Sequence, residues 1–228
     1  MKHLQQELLA IGLEFNMAKT KIMTTTRPDS FETDFYGESV QIVCQEDAHT
    51  YLGRKFSGNL VERGDVAVNH RIQLAWMKYS HHRKTLQNKN VSDKLRLKLF
   101  DAVVSPTLLY GLATVPVGEA HLRKVDVLQR KMVRNIAGWV RKPDEPWEDT
   151  MRRMKQRVEN ASVLYSIRPW SETLLTRKQI LLTGVALKPE SHWNRLAMMW
   201  QPEGRTRRVG RPNLRWDSAL PANCRAQM

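Results

Sequence analysis

The chain of 228 residues carries 37 Lys and Arg against 23 Asp and Glu, a net charge of +14 that points to a polyanionic partner, because lysines and arginines displace a polyanion's counterions. A hydrophobic content of 41% suffices for one or two compact units, but no apolar run approaches the roughly 20 residues that span a bilayer, and the N-terminus lacks a signal-peptide apolar block. Neither a membrane-spanning nor a secreted protein is expected; the expectation is a soluble, intracellular protein in a reducing compartment, with nucleus and cytoplasm both open.

The first predicted element is a helix with Leu4, Leu8, Ile11 and Phe15 along one face. Gly12 can adopt the left-handed geometry that ends it, and Asn16 suits the turn that follows. Lys21 to Thr26 reads as a β-rich run, and a second short strand is expected around Tyr51-Leu52-Gly53. Between them lies an irregular stretch with Pro28, Gly37 and weakly alternating Val40, Ile42 and Cys44. Residues 1–60 thus predict a small α+β element.

From Gly64 the period becomes helical, and residues 61–140 read as a helical domain. Asp65 is placed as a cap, and Val68, Ile72, Ala75, Tyr79, His82 and Leu86 form an apolar stripe. A second helix starts at Ser92, runs through Leu95, Leu99, Ala102 and Val103, and is expected to stop at Ser105-Pro106, since proline lacks an N–H and disfavours helix behind it. The third helix, Glu119 to Ala137, sets Leu122, Val125, Met132, Val133 and Ile136 on an apolar side and Arg123, Arg130, Lys131 and Arg134 on the other. Those cations fit a phosphate-binding face, and equally a face kept soluble by charge.

Residues 141–201 predict a further helical segment. Asp144, Glu145, Glu148 and Asp149 crowd the start of a helix beyond Pro146, where acids offset the positive dipole end; the reading preferred over metal ligation is structural. Two short helices follow, Ser171 to Val185 and Ser191 to Trp200, expected to bury Leu174, Leu175, Leu182, Trp193, Leu196 and Trp200, with base stacking by the tryptophans the alternative. Residues 202–228 read as an exposed, partly disordered basic tail carrying Arg205, Arg207, Arg208, Arg211 and Arg215. Its Gly210-Arg211-Pro212 suits an A·T minor groove, although Val209 stands where the extended AT-hook pattern has an arginine. The fold class expected for the whole is α+β, mostly α.

Cys44 and Cys224 lack metal-ligand neighbours, and His3, His49, His70, His81, His82, His121 and His192 form no i, i+4 pair, so neither a disulfide framework nor a zinc site is expected.

Gly12-Leu13, Asn16 and Lys19-Thr20, followed by Tyr51-Leu52-Gly53, appear in a fixed order with Leu108-Leu109-Tyr110-Gly111, Leu128-Gln129-Arg130-Lys131-Met132-Val133-Arg134 and Gly210-Arg211-Pro212-Asn213-Leu214-Arg215-Trp216. In that order and spacing they resemble the C-terminal part of a non-LTR, LINE-like retrotransposon reverse transcriptase, over nearly the whole chain. The resemblance implies the end of a palm, a primer-grip-like element at Tyr51, Leu52 and Gly53, a helical thumb that holds RNA, DNA or an RNA–DNA hybrid by its backbone, and a basic extension. It also implies that Lys19 or Lys21 corresponds to a lysine that protonates departing pyrophosphate. The family pattern has Glu and Trp after Tyr110-Gly111, where this chain has Ala113 and Val115.

Nucleotide polymerisation needs two metal ions held by carboxylates. In this family those carboxylates lie N-terminal to the Gly12-Leu13 motif, and no Asp-Asp pair occurs in the chain. The expectation is a truncated or degenerate reverse transcriptase segment that binds nucleic acid without polymerising. No cofactor is expected in this chain, Mg²⁺ belonging to the complete enzyme. The rival expectation is a basic helical module that tethers DNA or chromatin through its arginine-rich tail.

Overall fold

A computed structural model describes residues 2–24, 29–35, 37–44, 47–59, 62–138 and 140–199. The tail arginines Arg205, Arg207, Arg208, Arg211 and Arg215 therefore lie outside the described residues, as do Pro28, Trp200 and Cys224. The architecture is mostly helical with small sheets, as the hydrophobic periods predict. Two compact units are separated after Val66.

In the first unit α1 (Lys2–Ala10) ends at Gly12, whose φ of +78° is the left-handed geometry expected there. Asn16 then caps a one-turn 3-10 helix, Met17–Lys19, by accepting from the Lys19 amide at 3.2 Å. Along the predicted face Leu8 and Phe15 are half-buried, whereas Leu4 is 52% and Ile11 70% exposed.

The stretch expected to be irregular is instead a sheet. β1 (Lys21–Met23) runs parallel to β3 (Glu38–Val43), and β2 (Glu32–Phe35) pairs antiparallel on the other side of β3. Phe35 pairs with Glu38 in the register, and Gly37 at φ +79° supplies a left-handed position before β3. Ser39 Oγ adds a cross-strand bond to Glu32 Oε2 at 2.7 Å. Mixed polar composition hid these strands, in which Val40 and Val43 are buried.

Tyr51-Leu52-Gly53 is likewise a hairpin and not a single strand. β4 (Ala48–Tyr51) pairs antiparallel with β5 (Arg54–Ser57), and Leu52 and Gly53, at φ +48° and +72°, form the turn. Positive φ at both central positions matches the right-handed twist of the flanking strands.

The second unit is a helical bundle. It comprises α2 (Arg63–His81, beyond its first turn), α3 (Arg83–Leu86), α4 (Asp93–Leu109), α5 (Glu119–Ala137), α6 (Trp147–Leu164), α7 (Trp170–Ala186) and α8 (Trp193–Met199). α5 packs on α4, α6 and α7, and its core is continuous from Val68 and Tyr79 through Phe100, Leu108, Met132 and Ile136 to Val158, Trp170 and Leu174.

Several expectations change here. Asp65 lies inside the first turn of α2, where a carboxylate offsets the positive dipole end. Ser92 does cap α4, accepting from the Leu95 amide, but Pro106 does not end that helix. The helix continues to Leu109 because Leu108 and Leu109 are buried, and their packing outweighs the missing N–H. The buried side of α4 is Leu97, Phe100, Val104 and Leu108, whereas Leu95 and Ala102 face solvent. In α8, Trp193 is 73% and Leu196 56% exposed, so neither joins the core, while Leu174 and Leu182 do.

Candidate nucleic-acid interface

α5 presents the strongest separation of apolar and charged sides in the bundle. Gly118 precedes it in extended geometry, with its amide donating to His121 Nδ1 at 3.1 Å, and Glu119 offsets the dipole of the first turn. Gly138, at φ +80°, ends it. Val125, Leu128, Gln129, Met132, Val133 and Ile136 are buried.

At 100° per residue the opposite arc holds Arg123, Lys124, Val127, Arg130, Lys131 and Arg134. All four sequence-predicted cations thus share one face, and Lys124, which sequence reasoning passed over, joins them. Arg123 pairs with Glu119 at 2.8 Å, an exposed i, i+4 contact that a phosphate can displace. Lys124 Nζ donates to Asn69 Oδ1 at 2.6 Å, and Lys131 Nζ sits 5.6 Å from the centre of the Trp76 ring, so both lean towards α2. Arg134 is partly exposed, with its Nε buried and without an acceptor among the described residues.

The other acid of α5, Asp126, is removed from this face by α7. Ser171 donates to it through its amide at 2.9 Å and its hydroxyl at 2.6 Å. A helix with five cations on its solvent side and one exposed acid at its start is suited to anionic backbone.

Not every cation serves the surface. Arg96 and Arg71 are buried, and so is Lys178, whose Nζ donates to the Val115 carbonyl at 2.7 Å. Arg71 donates to the Thr107 carbonyl and lies 4.6 Å from the Tyr110 ring centre. These side chains act as struts, which the net charge alone does not reveal.

Of the acids around the start of α6, Glu145 is bound bidentately by Arg153, at 2.8 and 2.6 Å, and accepts from Thr150 at 2.7 Å; Asp149, in the first turn, pairs with Arg152. Arg153 reaches on to the Val140 carbonyl, joining the α5–α6 connection to α6. The bond from Arg153, then that from Thr150, lowers the Glu145 pKa from the usual 4.5 to about 2. A depressed folded-state pKa gives stability that is present above 4.5 and lost as pH falls towards 2. Glu145→Gln is therefore expected to lower the thermal midpoint at pH 7 and to flatten its fall between pH 5 and pH 2. An unchanged midpoint at neutral pH, measured by circular dichroism, would contradict this role for the pair.

Elsewhere, Lys19 and Lys21 are exposed, Tyr51 and Leu52 project from the hairpin, and no group of three His, Cys, Asp or Glu among the described residues is placed to hold a metal ion. Among the described residues no helix is long and apolar enough to cross a membrane.

Fold and site together define a mostly helical protein with a cationic helix face. The chain is 26% identical over 227 residues to an uncharacterized transposon-derived protein of Caenorhabditis elegans, across 96% of this chain and 76% of that protein. No family model and no solved structure matches the chain.

Proposed function

We propose that the chain is the end-of-palm and thumb part of a non-LTR retrotransposon reverse transcriptase, and that it binds the backbone of RNA, DNA or an RNA–DNA hybrid without polymerising. The observation that carries the reading is the solvent face of α5, where Arg123, Lys124, Arg130, Lys131 and Arg134 gather while Asp126 is engaged by Ser171. The ordered motifs from Gly12-Leu13 to Gly210-Arg211-Pro212 and the transposon-derived relative support it. Binding is sequence-independent, because guanidinium and ammonium groups reach phosphates and carry no base information.

The test is fluorescence anisotropy with a duplex oligonucleotide across a salt series. Arg123→Ala, Arg130→Ala, Lys131→Ala and Arg134→Ala together are expected to weaken binding about 100-fold at low salt and to reduce the log–log salt slope by roughly 3 to 4. Deleting residues 205–228 is expected to leave most of the affinity. The reverse result, with affinity lost on deletion and retained by the α5 variant, would establish the tail-tether reading in its place. Template-directed primer extension by this chain with Mg²⁺ or Mn²⁺ would overturn the non-polymerising half of the proposal.

A further inference from the structure

Beside the cationic face, where α2, α3 and α5 meet, lies a cavity of about 260 Å³ lined by Trp76, Tyr79, Ser80, Arg83, Gln87 and Asn135. Among the described residues no carboxylate lines it. It adjoins a cleft of about 590 Å³ that shares Gln87 and Asn135 and is bordered by Lys89 and Arg157. Asp93, the one acid of that cleft among the described residues, is bound by Arg96.

The polar groups of the cavity are held in place. Tyr79 is only 2% exposed, and its hydroxyl accepts from Gln87 Nε2 at 3.2 Å and hydrogen-bonds the Asn135 side chain. Arg83 Nε donates to Gln87 Oε1 at 3.0 Å, which fixes which way the Gln87 amide points. Further capacity remains on both amides, on the Ser80 hydroxyl and on the terminal guanidinium nitrogens of Arg83. Trp76 forms an aromatic wall, set edge-to-face against Tyr79 with ring centres 5.6 Å apart.

A fixed donor and acceptor array beside an aromatic face is the chemistry that recognises a nucleobase edge and stacks its ring. Its position supplies the remaining requirement. Lys131 and Asn135 are one turn apart on α5, with Cβ atoms roughly 6 Å from each other, a reach comparable with that from a phosphate to its own base. Lys131 lies over Trp76 and belongs to the cationic face, so a strand tracking that face passes the mouth of the cavity. Bases within a duplex are paired and stacked and cannot enter.

We infer that this cavity takes an unpaired base of a single strand adjoining the duplex held on α5, so that the bundle recognises a duplex-to-single-strand junction. The inference rests on the backbone-binding reading above.

The test compares a blunt duplex, the same duplex with a three-nucleotide 3′ overhang, and that duplex with an abasic overhang of equal charge. The base-containing overhang is expected to strengthen binding roughly 10-fold over the blunt and abasic forms. Combined Gln87→Ala and Asn135→Ala should abolish that gain while leaving blunt-duplex affinity unchanged. An abasic overhang that binds as well as the base-containing one overturns the inference with no variant involved, while duplex binding stands. If only the base-containing overhang binds, the cavity is upheld and the duplex reading fails. If none of the three binds, both fail.

Discussion

Arg96→Met is expected to destabilise the helical bundle by about 3–5 kcal/mol, a large share of the stability of a domain this size. The side chain is buried, and its guanidinium is shared among four acceptors. Nε donates to the Val91 carbonyl at 3.0 Å, and Nη1 donates to the Leu86 carbonyl at 3.3 Å and to the carbonyl of Ile136; Nη2 bonds Asp93. One residue therefore closes the end of α3, the loop before α4 and the last turn of α5. Methionine matches the volume but leaves three carbonyls facing an apolar side chain, each costing about 1–3 kcal/mol where water cannot reach it. The ion pair itself adds less, because Asp93 is partly exposed and solvent screens it. Arg96→Lys is expected to recover only part of the loss, since an ammonium keeps the charge but lacks the planar fork that reaches several acceptors. Urea unfolding with an unchanged m-value measures both. A loss below about 1 kcal/mol for Arg96→Met would mean that water or relaxation satisfies those carbonyls. Because Ile136 follows Asn135, the same substitution should also weaken overhang recognition more than blunt-duplex binding.

How much of this could be read beforehand depends on whether a residue's role is set by its own helix or by a partner. α5 was legible to the residue, Glu119 to Ala137, because its apolar and charged sides separate cleanly at the helical period. α4 was not, since Leu95, Leu97, Leu99, Phe100, Val103 and Val104 occupy nearly all sides and any stripe can be drawn; only packing against α5 and α7 selects Leu97, Phe100, Val104 and Leu108. The same reason let Pro106 pass unbroken. In the first unit, β2 and β3 escaped notice because polar residues alternate with few buried ones, and Leu52 is a residue no turn rule places at positive φ. Buried cations are invisible to charge counting: Arg71, Arg96 and Lys178 each answer a carbonyl supplied by a distant segment. The cavity at Tyr79 has no sequence signature at all, because Trp76, Arg83 and Asn135 come together only through the tertiary fold.

Trp170 also braces the bundle, and Trp170→Ala is expected to cost about 3–5 kcal/mol. Its sequence context, Arg168-Pro169-Trp170, looks like a loop leading into a helix, yet the ring is fully buried and stacks on Phe100 of α4, with ring centres 5.7 Å apart and planes 23° from parallel. Its indole Nε1 donates to Ser105 Oγ at 2.7 Å, and Ser105 in turn donates to Asp101 at 2.8 Å. Its amide donates to Gln129 Oε1 at 3.0 Å, while Gln129 Nε2 returns a bond to the Arg168 carbonyl at 2.9 Å. The start of α7 is thereby locked to α4 and α5 together, and Ser171, the next residue, holds Asp126 off the cationic face. Alanine removes the ring and opens a cavity, whereas phenylalanine keeps most of the stacking and loses the indole donor, so Trp170→Phe is expected to cost only about 1–2 kcal/mol. The two variants separate packing from hydrogen bonding, and denaturant midpoints measure both. Equal losses for Phe and Ala would show that the Ser105 bond, and not ring volume, holds α7 in place. Trp170→Ala should also weaken duplex binding beyond any loss of folded protein, because releasing Ser171 frees Asp126 to move towards Arg123 and Arg130 and compete with phosphate for them.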